Sequence, residues 1–171
     1  MNARSGSDTK PMKNATTVER KSDRELVVRR SFDGPARIVF EAWTRPELMQ
    51  RWWAPRSSGM SLVSCEMDVR VGGGYRLEFG RPGTSQRMAF FGKYLEVTPP
   101  SRLVWTNEES EAGAVSTVTF EEKDGKTLLV LHERYPSKEA LDAAFIGMED
   151  GMPESFAQLD DLLATLVARE A

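Results

Sequence analysis

His132 is the only histidine and Cys65 the only cysteine in the chain, so acid–base or nucleophilic chemistry has few places to start. A nucleophile–histidine–acid arrangement needs His132 beside Cys65 or a serine. Cys65 falls on the second strand of the pattern read below and His132 on the last. Alternation that turns Leu129 and Leu131 inward turns His132 outward. One histidine and one cysteine do not make a protein-only zinc site. No catalytic residue, metal ligand or cofactor is therefore assigned, and Cys65 reads as a small buried apolar residue. Gly72-Gly73-Gly74 suggests a phosphate loop, but such a loop continues into Lys-Ser/Thr and a helix. Tyr75-Arg76 and a strand follow instead, so the glycines read as a turn.

Asp68, Arg70 and Glu96 remain as polar candidates. Glu96 is the most interesting. If it continues the face of Tyr94, a carboxylate stands at the edge of an apolar region. There it must pair with an arginine or serve a ligand, because an unpaired buried charge is costly. No second carboxylate is placed to partner it in acid catalysis. Trp52-Trp53 offers one indole as a core anchor and the other, Trp53, for the mouth of a cavity, where its N–H could meet ligand or water.

These residues must be positioned by a mostly β chain. Glu25–Arg30 reads as a strand, and Asp33-Gly34-Pro35 turns it into a helix with Ile38, Val39, Ala42 and Trp43 on one side. Thr44-Arg45-Pro46 breaks that helix and starts a short second one through Trp52. Six strands follow: Met60–Arg70, Tyr75–Phe79, Arg87–Val97, Arg102–Thr106, Val115–Glu122 and Thr127–Tyr135. Short turns between them, with Asp124-Gly125 the strongest hairpin signal, mean an antiparallel sheet. Ser137 can cap a short helix over Lys138–Met148. Gly147, Gly151 and Pro153 interrupt it, and a longer amphipathic helix runs from Pro153 toward Arg169. The expected fold is α+β in the order β-α-α-β6-α.

The last helix has one large apolar surface to cover, a face of the sheet. Alternation places Tyr75, Leu77 and Phe79 there, then Phe90 and Tyr94, Leu103 and Trp105, Val118 and Phe120, Leu129 and Leu131. The strand holding Phe90 and Phe91 is open to a one-residue slip that would invert its faces. The helix adds Phe156, with Met148 and Met152 nearby. Aromatic and methionine side chains at such spacing serve as core, and where one helix closes a curved sheet incompletely they line a cavity. The cavity candidates are Trp53, Tyr75, Phe79, Phe90, Tyr94, Glu96, Trp105, Met148, Met152 and Phe156.

Composition bounds the partners. Charged residues are 29%, hydrophobic residues 40%, and the net charge is -3. That balance argues against a nucleic-acid binder relying on phosphate neutralisation. No apolar run is long enough to insert in a membrane as a helix. No apolar h-region follows the basic N-terminus, and a lone cysteine suits a reducing compartment, so cytoplasmic is the expected location. Residues 1–22 are basic and poor in apolar side chains, and read as a disordered extension ahead of a domain at 23–171.

The chain resembles the START-like (SRPBCC) superfamily with its helix-grip fold, and within it the activator of heat-shock protein 90 ATPase homologue-like family of bacterial single-domain proteins. The resemblance is carried by Phe32-Asp33-Gly34-Pro35, Val39 to Leu48, Arg51-Trp52-Trp53-Ala54-Pro55, Asp68 to Gly73, Gly92 to Pro100 and Gly147-Met148-Glu149-Asp150-Gly151. It implies a curved antiparallel sheet wrapped around a long C-terminal helix, with a small hydrophobic molecule held between them. Three readings follow. The first is a binding domain for an apolar or amphipathic molecule. The second is a cyclase or dehydratase on the same cavity. The third is a co-chaperone-like interaction domain with a chaperone partner. The co-chaperone resembles this chain only in its C-terminal part, which weighs against the third. Monomer and homodimer are both compatible with the sequence. Many relatives carry Trp where this chain has Phe156.

Overall fold

The computed structural model describes residues 15–170. Eight strands form one antiparallel sheet: β1 (Thr17–Arg20), β2 (Glu25–Asp33), β3 (Ser61–Met67), β4 (Gly74–Gly80), β5 (Arg87–Thr98), β6 (Arg102–Thr106), β7 (Val115–Lys123) and β8 (Lys126–Arg134). Their spatial order is β1-β2-β8-β7-β6-β5-β4-β3. Helices α1 (Ala36–Thr44) and α2 (Pro46–Met49) lie between β2 and β3, and α3 (Lys138–Glu170) closes the chain. This is the α+β helix-grip architecture, with six consecutive strands between the short helices and the long one.

Local chemistry accounts for the turns. The β7–β8 hairpin has the two-residue loop Asp124-Gly125, with φ of 56° and 78°. Both positive values match the primed turn that suits twisted strands. In α1, Ile38, Val39, Ala42 and Trp43 are all buried, as helical spacing predicts. Ser137 caps α3, its Oγ accepting from the Ala140 N–H at 3.1 Å. The shorter helix expected through Trp52 ends as helix at Met49.

Two expectations are corrected. The extension read as disordered through residue 22 contains β1, which pairs with β2 from Thr17↔Arg29 to Arg20↔Leu26. Averaged composition hid a four-residue element. Val18 packs against the core, Arg20 pairs with Asp142 at 2.7 Å, and the edge of β2 supplies backbone partners that a side-chain tally omits. Residues 1–14 lie outside the described residues. The second correction is α3, one helix of 33 residues with Pro153 inside it, where an interruption was expected. Proline removes one N–H and strains the preceding turn, at a cost of about 3 kcal/mol. Burial of Met152 just before it and of Phe156, Leu159, Leu162 and Leu163 beyond it offsets that cost.

The core lies between the sheet and the helices. Trp43 is its centre, with ring centroids of Trp52, Trp53, Trp105, Phe120 and Phe156 between 4.9 and 6.3 Å away. The segment after α2 is fastened to α3 by polar bonds. The Gln158 side-chain amide donates to the carbonyls of Trp52 and Ala54, both at 2.9 Å, and Ser155 Oγ donates to the Trp53 carbonyl at 2.8 Å. That anchorage holds Trp53 in place.

Candidate functional site

A cavity of about 620 Å³ lies between the sheet and the first half of α3. Trp43, Trp53, Leu77, Phe79, Phe90, Leu103 and Trp105 form much of its apolar wall, with Met49, Met67, Met148 and Met152. Beside Met148 and Met152, α3 contributes small residues: Ala140, Ala143, Ala144, Gly147 and Gly151. Gly151 is close to the loop after α2, since a Cβ there would stand 3.5 Å from Pro55.

Of the ten candidates read from the sequence, eight come together here: Trp53, Tyr75, Phe79, Phe90, Tyr94, Trp105, Met148 and Met152. The β5 register that turns Phe90 and Tyr94 inward is the one present, and Phe91 is exposed. Phe156 and Glu96 do not line the cavity. Phe156 is fully buried against Phe32, Trp43 and Trp52, so it is core. Glu96 fails through a bulge. Tyr94 pairs with Trp105 but Glu96 pairs with Val104, so β5 takes two steps where β6 takes one. The extra residue reverses parity. Glu96 reaches the outer face, 41% exposed, and pairs with Arg102 at 3.0 Å. Arg102 and Thr98 donate hydrogen bonds to it and hold its carboxyl below the usual range.

His132 is likewise on the outer face, its Nε2 2.8 Å from Glu25 Oε2. Cys65 is half-buried beside Met67, and burial pushes its thiol up to about 11, away from reactivity. Asp68 and Arg70 pair with each other on the surface.

One end of the cavity carries a polar network that the sequence reading missed. Tyr135 Oη donates to Glu133 Oε1 at 2.6 Å, and Ser116 Oγ donates to Glu133 Oε2 at 2.8 Å. Asn107 Nδ2 donates to Ser116 Oγ at 3.0 Å, and Tyr75 Oη donates to Asn107 Oδ1 at 3.1 Å. The register explains the assembly, because Ser116 pairs with Glu133 on β8 and with Trp105 on β6. The signal was available. Thr127, Leu129 and Leu131 point inward, and two more steps of the same alternation reach Glu133 and Tyr135.

Burial raises the Glu133 carboxyl above its ordinary value, against the opposing hydrogen bonds from Tyr135 and Ser116. It is partly accessible and lines the cavity. Burial also raises Tyr75 and Tyr135. An acid held above its unfolded value favours the fold when protonated. That contribution is complete below the ordinary carboxylate range and is lost as pH rises through the raised value. Glu133→Gln keeps the neutral shape; its oxygen still accepts from one hydroxyl, and its amide N–H donates to the other. The variant is expected to melt above the parent near pH 8 and to match it near pH 4. Thermal melts across that range check the crossover.

The sequence profile described as Activator of Hsp90 ATPase homolog 1-like protein matches residues 33–164. The chain belongs to that family. No curated protein matches it. Among solved structures, this activator-like chain is similar to a Rhodobacter sphaeroides protein at 26% identity and a TM-score of 0.80, covering 88% of this chain and 99% of that one. It is similar to a Staphylococcus epidermidis protein at 26% identity and 0.74, covering 87% and 94%. The likeness to an AHSA1-like protein of Aeromonas hydrophila, at 20% identity and 0.66 over 81% and 93%, shows the shared fold alone. Among the described residues no helix of the activator-like chain is long and apolar enough to cross a membrane.

Proposed function

We propose that this activator-like domain binds a small apolar or amphipathic molecule between its sheet and its long helix. The observation that carries the reading is the 620 Å³ cavity, walled by aromatic and methionine side chains with a polar network at one end. That size and that mix of an apolar wall with a few convergent polar groups suit a small-molecule site. Apolar burial contributes roughly 25 cal/mol per Å² without any special chemistry. The lone cysteine, its thiol raised by burial, is compatible with a reducing cytoplasm.

A second reading, an enzyme on the same cavity, is favoured by one group. Glu133 is a carboxyl raised by burial and set at the cavity wall, which suits a general acid. One experiment separates the two. The purified chain is incubated with aromatic polyketide, sterol and fatty-acid-like compounds while melting temperature and product formation are followed. The binding reading expects stabilisation without turnover. Turnover lost in Glu133→Gln, with binding retained, would promote the enzyme. A melting temperature indifferent to every compound, with no small molecule retained in native mass spectrometry, would return the reading to the co-chaperone-type alternative.

A further inference from the structure

Ionisable groups in the cavity wall are one-sided. Glu109 and Glu133 line it, and among the described residues no Lys, Arg or His does. The neighbours of Glu133 bring no cation to it inside the cavity. Tyr135 follows the end of its own strand, Ser116 comes from β7 and Glu109 from the β6–β7 loop. His132 is adjacent in the chain but lies on the outer face with Glu25. The α3 residues that line the cavity are alanines, glycines, methionines and one serine, none of them charged.

We propose that the ligand is an organic cation: an aromatic or apolar molecule whose protonated or quaternary amine rests against Glu133. This rests on the binding reading above and names the ligand's chemical class. Three observations carry it. The first is the charge asymmetry, since a carboxylate-bearing ligand would meet two like charges and no counter-ion. The second is acceptor capacity. A carboxylate has about four lone-pair sites, and the protein occupies one on each oxygen of Glu133. A free site on each oxygen can face a ligand cation, taking an N–H where the amine is a protonated one. The third is the aromatic surround. Tyr75, Tyr135 and Trp105 share the cavity wall with Glu133, and aromatic faces attract cations. The rest of the cavity accepts the apolar body. A bound cation favours ionised Glu133, so binding of a permanent cation strengthens as pH rises and the acid loses its proton.

The test holds shape nearly constant and varies charge. Three probes share a naphthylethyl body and end in trimethylammonium, its uncharged tert-butyl isostere or a carboxylate. Calorimetry on the full chain measures their affinities at about pH 5 and pH 8. The trimethylammonium probe is expected to bind at least about ten-fold tighter than the tert-butyl probe at pH 8. The carboxylate probe should bind weakest. The cation's advantage should shrink at pH 5. Glu133→Gln should remove most of it, with the tert-butyl probe still binding. Should that variant fail to fold, Glu109→Gln and the parent's pH series decide. If the tert-butyl or carboxylate probe binds as well as the cation at pH 8, the cation assignment fails while the binding reading stands. If none of the three binds at either pH, the binding reading itself fails.

Discussion

Phe156→Ala is expected to destabilise the protein by about 3–5 kcal/mol, the full cost of truncating a core aromatic. Phe156 is completely buried, with its ring 5.3 Å from Phe32 at 79°, and 6.3 and 6.2 Å from Trp43 and Trp52. Its removal strips partners from β2, α1 and the segment after α2 together. Nothing nearby can relax into the space cheaply, because Trp43 is still held among four other aromatic rings. Denaturant titration should show a lowered midpoint with an unchanged slope. Since Phe156 does not line the cavity, affinity for the uncharged naphthyl probe should stay where it is. A loss below about 1.5 kcal/mol joined to altered probe binding would move Phe156 from core to cavity wall.

Asp160→Ala is expected to cost about 3 kcal/mol, the lower end for breaking a buried ion pair. Arg30 of β2 is only 7% exposed and pairs with Asp160 of α3. Its guanidinium carbon sits 4.9 Å from the centroid of the Phe32 ring, and its Nε has no hydrogen-bond partner. Removing Asp160 strands a cation that cannot reach water without leaving that ring. Asp160 is itself 35% exposed, which softens the loss. Replacing both partners with apolar residues, as in Arg30→Met with Asp160→Leu, should recover most of the stability. Calorimetric melts of the two variants check this. A double variant no more stable than the single one would show that the pair does more than neutralise itself.

The sheet was legible because its signals are local and periodic. Alternation placed Tyr75, Leu77, Leu103, Val118, Leu129 and Leu131 on the buried face, where they are. It failed at Glu96 because a bulge adds one residue between Tyr94 and Glu96, and nothing in β5 alone announces it. The bulge arises from the match between two strands, which one strand's residue order does not contain. Glu133 was missed for the opposite reason. Its alternation was correct and available, but a charged residue after two leucines looks like a strand running out into solvent. Only the convergence of Ser116, Asn107 and Tyr135 makes burial tolerable there. β1 went unread because its evidence is a partner, the open edge of β2, 5 residues further on from Arg20 to Glu25.

The unbroken helix α3 is one object in shape and two in resistance to opening. Pro153 has no N–H to give the carbonyl of Glu149, so the hydrogen-bond ladder lacks a rung there. On its C-terminal side Phe156, Leu159, Leu162 and Leu163 are buried. On its N-terminal side Gly147 has nothing within 4 Å of where a Cβ would stand, and Ile146 is 68% exposed. Amide exchange should therefore divide at the proline. Amides from 157 to 164 should exchange near the rate of global unfolding, and those from 143 to 152 through smaller, more frequent openings. The half that opens more readily is the half that walls the cavity, so a molecule could pass between helix and sheet without the core coming apart.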